Sequence, residues 1–343
     1  MKRSILVAAA LFLAIVFALP AFTSALTTPI VRINLIRTAI ITQEQLDETL
    51  EKYRATYGDS LDSATVLDSL VADELLKQGL ERDGFLLTEE QKDELLAQQR
   101  ANFAQDLGID LSDDELFAQV LQVNFNMDIP TFRDYVAEQY MMRSYVITKK
   151  ADMLNNTDIA PTAAQVEQFY KQNASAFISN ENVKLAHVFF RFGEDKAAAL
   201  AKAEDVSKQI KAGTLTFEKA VTQYSEDEDS NKTGGDIGWL EVNNTDVRTG
   251  MGDNFVDKVF ALEAGEVSGV IESTQGYHIV KVSVHNPTKL LGIDDQITPT
   301  DTTTVRQYLT DYLTNQNANE LFQQAYISVI NDLKGEAQIK YLK

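Results

Sequence analysis

Two short stretches at opposite ends of the chain constrain its fold more than anything between them. Residues 30–36 (IVRINLI) and 337–342 (AQIKYL) each alternate apolar and polar side chains, the period of a half-buried strand. Both border sequence of helical periodicity. A lone strand leaves its amides and carbonyls unpaired, so each end needs the other. Pairing them joins the two ends of the chain and turns the middle into an insertion. At 343 residues the chain has room for two or three domains.

Helical segments follow the first strand. Thr42 and Gln45 have capping-box spacing, Leu46, Leu50, Tyr53 and Tyr57 share a face, and Gly58 is a stop signal. Apolar residues at three- and four-residue spacing predict further helices over 64–79, 88–107, 112–123, 131–154 and 162–173. This part contains no histidine and shows no catalytic pattern. The texture then changes. Strands are expected over 184–190 and 276–282, with helices over 196–212, 217–224 and 254–262 between them, the mixture of a compact α/β or α+β domain. Residues 286–304, rich in Thr, Asp and Pro, read as a linker. A last helix over 305–334 carries Tyr308, Tyr312, Leu321, Ala325, Val329 and Leu333 as a stripe that needs a partner bundle.

The chain opens with Lys2 and Arg3, an apolar run over 5–19, Pro20 and small residues at 23–25. This is the pattern of a secretory signal peptide, and an uncleaved membrane anchor is the alternative. Either way the mature part is expected to be exported, periplasmic or otherwise extracytoplasmic, with membrane attachment only if the leader stays. The formal charge is −20, which sets the chain against nucleic-acid backbones. Cysteine is absent, which excludes disulfides, thiolate nucleophiles, Cys-based zinc sites and a lipidated N-terminal cysteine.

Chemistry concentrates in the middle. Two of the three histidines, His187 and His278, fall within expected strands. Between them lies SEDEDSNKTGGDIGW, residues 225–239. Counted from Asp229, this run begins like a calcium loop, but its twelfth position is Leu240 rather than a bidentate glutamate. Two distant histidines are a weak zinc set. Neither a metal nor a cofactor is expected.

The order of blocks is informative: KLAHVFFR, then YSEDEDSNKTGGDIGW, then Met251-Gly-Asp-Asn-Phe255, then Phe260-Ala-Leu, then GYHIVKV. It resembles the parvulin-type peptidyl-prolyl isomerases over about residues 182–284. The resemblance implies a pair of site histidines, His187 and His278, on central strands, with Asp227 beside them as the catalytic acidic group. It implies a proline slot lined by Met251 and Phe255, with Ser225 at the substrate, and a loop shaped by Gly234, Gly235 and Gly238. Glu228 to Lys232 then form a solvated rim, and Trp239 packs at the loop's exit, with substrate contact as the alternative. Val221 stands where that family commonly has alanine.

The flanks are similar in pattern to the exported folding factors of the SurA, PrsA and PpiD group. That similarity implies an α+β chain: a parvulin-like antiparallel sheet with surrounding helices, inserted in a mainly helical chaperone domain. The expected division is a leader at 1–25, helical chaperone sequence at 26–175, the isomerase at 180–286, a linker at 287–304, and a helix and strand at 305–343 that complete the chaperone part. The function implied is isomerisation and chaperoning of unfolded or nascent exported polypeptides that contain proline. The alternative is a non-catalytic holdase whose parvulin domain only binds peptide.

Overall fold

The computed structural model describes residues 28–58 and 62–342. The expected leader at 1–25 lies outside them. Strands β1 (Pro29–Asn34) and β2 (Thr38–Thr42) form a hairpin, followed by α1 (Gln43–Tyr57), α2 (Ser63–Asp83), α3 (Glu89–Leu107), α4 (Asp114–Phe125), α5 (Ile129–Lys149) and α6 (Ala151–Asn156). Next come α7 (Ala163–Asn173), β3 (Ile178–Ser179), β4 (Asn182–Arg191), α8 (Lys196–Lys211), α9 (Phe217–Tyr224) and β5 (Asp236–Glu241). The chain continues through α10 (Thr245–Met251), α11 (Asp253–Phe260), β6 (Val267–Glu272), β7 (Gly276–Asn286) and β8 (Lys289–Leu290). It ends in α12 (Val305–Glu336) and β9 (Gln338–Tyr341). Among the described residues no helix is long and apolar enough to cross a membrane.

Local chemistry sets many of these boundaries. Thr42, Thr88 and Thr162 cap α1, α3 and α7 with full capping boxes, and Asp62, Asp113 and Asp128 cap α2, α4 and α5. The helix expected over 131–154 is two helices, interrupted where Lys150 leaves helical geometry.

Two compact units result among the described residues: 160–314, and 28–58 and 62–159 with 315–342. In the second of these, β1 is the middle strand of the order β2-β1-β9, with Ile33 opposite Ile339. The two chain ends therefore pair as the alternation predicts, and β2 adds an edge the sequence reading lacks. Gln78, fully buried on α2, holds the β1–β2 turn: its Oε1 accepts from the amides of Leu35, Ile36 and Arg37. Val31 and Ile33 pack with Val71, Leu75, Tyr145, Phe322, Ala325, Val329 and Leu333.

The unit at 160–314 is built on a four-stranded antiparallel sheet of order β5-β4-β7-β6. Because side chains alternate along β4 and β7, both faces are apolar. One buries Leu185, Val280 and Val282 with Phe255, Val256 and Val259 of α11. The other buries Val188, Phe190 and Ile279 with Ala203 and Val206 of α8 and Ala220 and Val221 of α9.

Three expectations need correction. Residues 162–173 do not join the helical part as the sequence predicts: Val166 of α7 packs against Leu291, Val305 and Leu309, in the sheet-bearing unit. The stretch 287–304 is not a bare linker: β8 pairs with β3, Leu291 is buried, and Gln296 bridges to Thr304. Its polar composition hides a few well-placed apolar residues. On α12 the early stripe runs through Val305 and Leu309, while Tyr308 and Tyr312 are exposed.

Candidate functional site

The site grows from two adjacent central strands. In the antiparallel register Phe189 of β4 faces His278 of β7, so His187, two residues back on the same face, lies diagonal to His278. The two rings meet through Nδ1 at 3.1 Å, and both side chains are buried. Asp227, from the loop after α9, reaches Nε2 of His187 at 3.0 Å and also accepts from the hydroxyl of Ser230. At the other end Nε2 of His278 lies 2.8 Å from Oγ of Ser273.

Hydrogen-bond logic orders the protons along this row. Ionised, Asp227 can only accept, so His187 donates from Nε2 and its Nδ1 becomes an acceptor. His278 then donates from Nδ1, and its Nε2 accepts from Ser273. The Ser273 oxygen in turn accepts from the amides of Gln275 and Gly276. Electrostatics agrees with neutral rings. Burial pushes His187 down against the pull of Asp227. Burial, then the neighbouring His187, draws His278 to about 3. Burial alone would raise Asp227, but the bonds from Ser230 and His187 outweigh it and hold the carboxyl below its usual range.

The row lies along a cleft of about 410 Å³ whose apolar walls include Leu185, Leu240, Val247, Met251 and Phe255. Phe255 sets its ring edge-to-face on His278 at 4.9 Å, and Phe189 lies against both histidines. Gly252, at φ +90°, breaks α10 from α11 and so places Met251 and Phe255 on the same wall.

Five residues singled out from sequence therefore converge on the cleft: His187, Asp227, Met251, Phe255 and His278. Ser225 does not line it; its hydroxyl accepts from the amide of Phe189 and clips the loop to β4. The three glycines have unequal roles. Gly235, at φ +78°, passes its carbonyl to the amide of His187, and a Cβ there would overlap the His187 carbonyl and press on Val221. Gly234 and Gly238 also have positive φ but open space around them. Trp239, expected to pack at the loop's exit, instead lines this cleft and a second one beside it. Among the described residues no group of three His, Cys, Asp or Glu is placed to hold a metal ion.

Sequence reading missed Ser273, Ser230 and Phe189. It also missed Gly276, whose Cβ would overlap the Phe190 carbonyl and the Phe189 ring. Phe189 was in view, two residues from His187 on the same strand face. Ser273 offered no such signal, since a turn brings it to the far side of His278.

Residues 187–284 match the family described as Rotamase, PPIC-type PPIASE domain. This segment is a PPIC-type rotamase domain. The match falls within the stretch of the parvulin-type resemblance, about 182–284, and both histidines and Asp227 lie inside it. The chain is also similar to the chaperone SurA of Nitrosococcus oceani, 29% identical over 249 residues, covering 70% of this chain and 54% of that protein. It is similar to the foldase protein PrsA of Clostridium kluyveri, 27% identical over 199 residues, covering 52% of this chain and 54% of that protein. The chain thus spans about half the length of these curated relatives. Among solved structures it aligns with one of two SurA-like chaperones of Campylobacter jejuni, PEB4 and Cj1289, at 19% identity and a TM-score of 0.37, covering 87% of this chain and 96% of that one.

Proposed function

We propose that this chain is an exported peptidyl-prolyl cis-trans isomerase that also holds unfolded, proline-containing polypeptides. The observation that carries the reading is the Asp227–His187–His278–Ser273 row along an apolar cleft. Rotation about an X–Pro bond faces a barrier of about 18–20 kcal/mol because resonance keeps the amide planar. Resonance also makes the planar amide the more dipolar form, with negative charge on its oxygen. Two features of the cleft disfavour that form relative to the twisted one. The apolar wall of Met251, Phe255 and Leu240 grips the pyrrolidine ring and withholds the water that solvates the dipole. Asp227, kept ionised by Ser230 and His187, sets a negative charge beside the carbonyl oxygen. The two neutral histidines position Asp227 without adding charge. No nucleophile, metal or cofactor enters this scheme.

Export rests on the leader-like pattern at 1–25 and on the similarity to SurA and PrsA proteins. The test is exchange spectroscopy on a Xaa–Pro peptide with the full chain. Catalysed cis/trans exchange is the expected result. A rate equal to that in buffer, with an intact circular dichroism spectrum, would refute the enzyme and leave a holdase.

A further inference from the structure

The helical unit contains a buried carboxyl that the isomerase scheme does not use. Asp73 lies on α2, on the stripe Val66, Asp73, Leu76 and Leu80, and is 3% exposed. Its Oδ2 is buried and has no hydrogen-bond partner among the described residues. Leaving such an atom unpaired is costly, so the group marks a place where something else completes it.

Asp73 lines a pocket of about 500 Å³, within the range of ligand pockets, about 300–1,000 Å³. The walls are apolar and adaptable: Leu76 and Leu80 from α2, Met141 and Met142 from α5, and Tyr326 from α12. The titratable groups around Asp73 are Lys77 on its own helix, Glu138 on α5 and Tyr326 on α12, with Tyr53 of α1 beside Tyr326. Two carboxyls and one ammonium, with Ser69, Gln139 and Gln323, thus face a mostly apolar space, in a chain whose formal charge is −20.

We propose that this pocket takes a segment of an unfolded polypeptide in which a lysine or arginine stands among aliphatic residues, the cation completing Asp73 and the aliphatic side chains filling the methionine-lined walls. The proposal rests on the polypeptide-holding part of the reading above and names the class of segment held. It also explains why an acid occupies a core position of α2. Burial raises Asp73 to about 8, opposed in part by Lys77 and reinforced by Glu138. A cation favours the ionised form, so binding below that pH releases a proton and tightens as pH rises.

The test uses the full chain and three dye-labelled, blocked octapeptides of leucine and alanine, without proline, differing at one central residue: lysine, norleucine or glutamate. Fluorescence anisotropy should show the lysine peptide binding at least about tenfold more tightly than norleucine, and glutamate more weakly still. Asp73→Asn should bring lysine and norleucine together while leaving prolyl isomerisation and circular dichroism unchanged. On the unaltered chain the lysine-to-norleucine ratio should rise roughly 10- to 50-fold between pH 6 and 8, an arm that stands even if the variant does not fold. Norleucine binding as tightly as lysine, or a ratio indifferent to pH, overturns the proposal and leaves polypeptide holding intact. Failure of all three peptides to bind also overturns the proposal; polypeptide holding falls with it only if the full chain leaves the aggregation of an unfolded, proline-containing client unchanged.

Discussion

The two units bury titratable groups in opposite ways. In the rotamase unit, His187 and His278 sit in a row where each ring nitrogen has a partner and the rings stay neutral. In the helical unit, Asp73 is buried with one oxygen unpartnered among the described residues. A completed row fixes its own protonation, whereas an incomplete group leaves its charge to whatever fills the pocket. The consequences for stability run in opposite senses. A histidine whose folded pKa is lowered stabilises fully above its unfolded value near 6.5, and that contribution is lost as pH falls toward about 3 for His278. A carboxyl whose folded pKa is raised costs nothing below its unfolded value near 3.9, and the cost grows as pH rises toward about 8.

The largest expected effect breaks the completed row. Asp227→Ala should lower kcat/KM for a Xaa–Pro peptide by roughly ten- to a thousandfold without unfolding the rotamase unit. It should leave binding of the proline-free lysine peptide unchanged. Loss of both together would mean that the units do not act separately.

Next in size is Gly235→Ala. A side chain at φ +78° that overlaps the His187 carbonyl should destabilise the rotamase unit by about 2–4 kcal/mol, read as a lower urea midpoint of Trp239 fluorescence. Trp239 is the chain's single tryptophan, so its signal reports this unit alone. An unchanged midpoint would show that the loop is free to move off β4.

The opposed pH dependences give the third test. From pH 7 to 5 the Trp239 transition should shift to lower urea, while the helical transition seen by circular dichroism gains from Asp73. Asp73→Asn should stabilise the helical unit by about 1–3 kcal/mol at pH 8 and by little at pH 4. Stabilisation equal at both pH values would show that charge on Asp73 is not the cost.

The smallest effect is the sharpest on assignment. Asp229→Ala should change isomerisation by less than about twofold, because Asp229 is at the cleft's edge and offers Asp227 only its amide, 3.4 Å from Oδ1. A loss comparable to that of Asp227→Ala would move the active carboxyl.

What the sequence determined by itself was whatever depends on local period and cap chemistry. Alternation in β1 and β9 marked two orphan strands, and a lone strand has only another strand to pair with. Thr42 with Gln45 announced its helix because a capping box closes within four residues. His187, Asp227, Met251, Phe255 and His278 were legible as well, since ordered blocks along the chain carried them. Only the tertiary structure decided which of these residues meet and which polar atoms are completed. Ser225 proved a backbone clip, Ser273 the end of the histidine row, and Trp239 part of the cleft wall. The stretch 287–304 turned out folded because Leu291 packs with Val305 and with Val166, the latter far away in sequence. Asp73 had a local sign, an acid on an apolar stripe, but its burial comes from α5 and α12 closing over it. Periodicity says which face of a helix turns inward; it does not say whether a carboxyl on that face will find a partner there, because the partners arrive from remote segments.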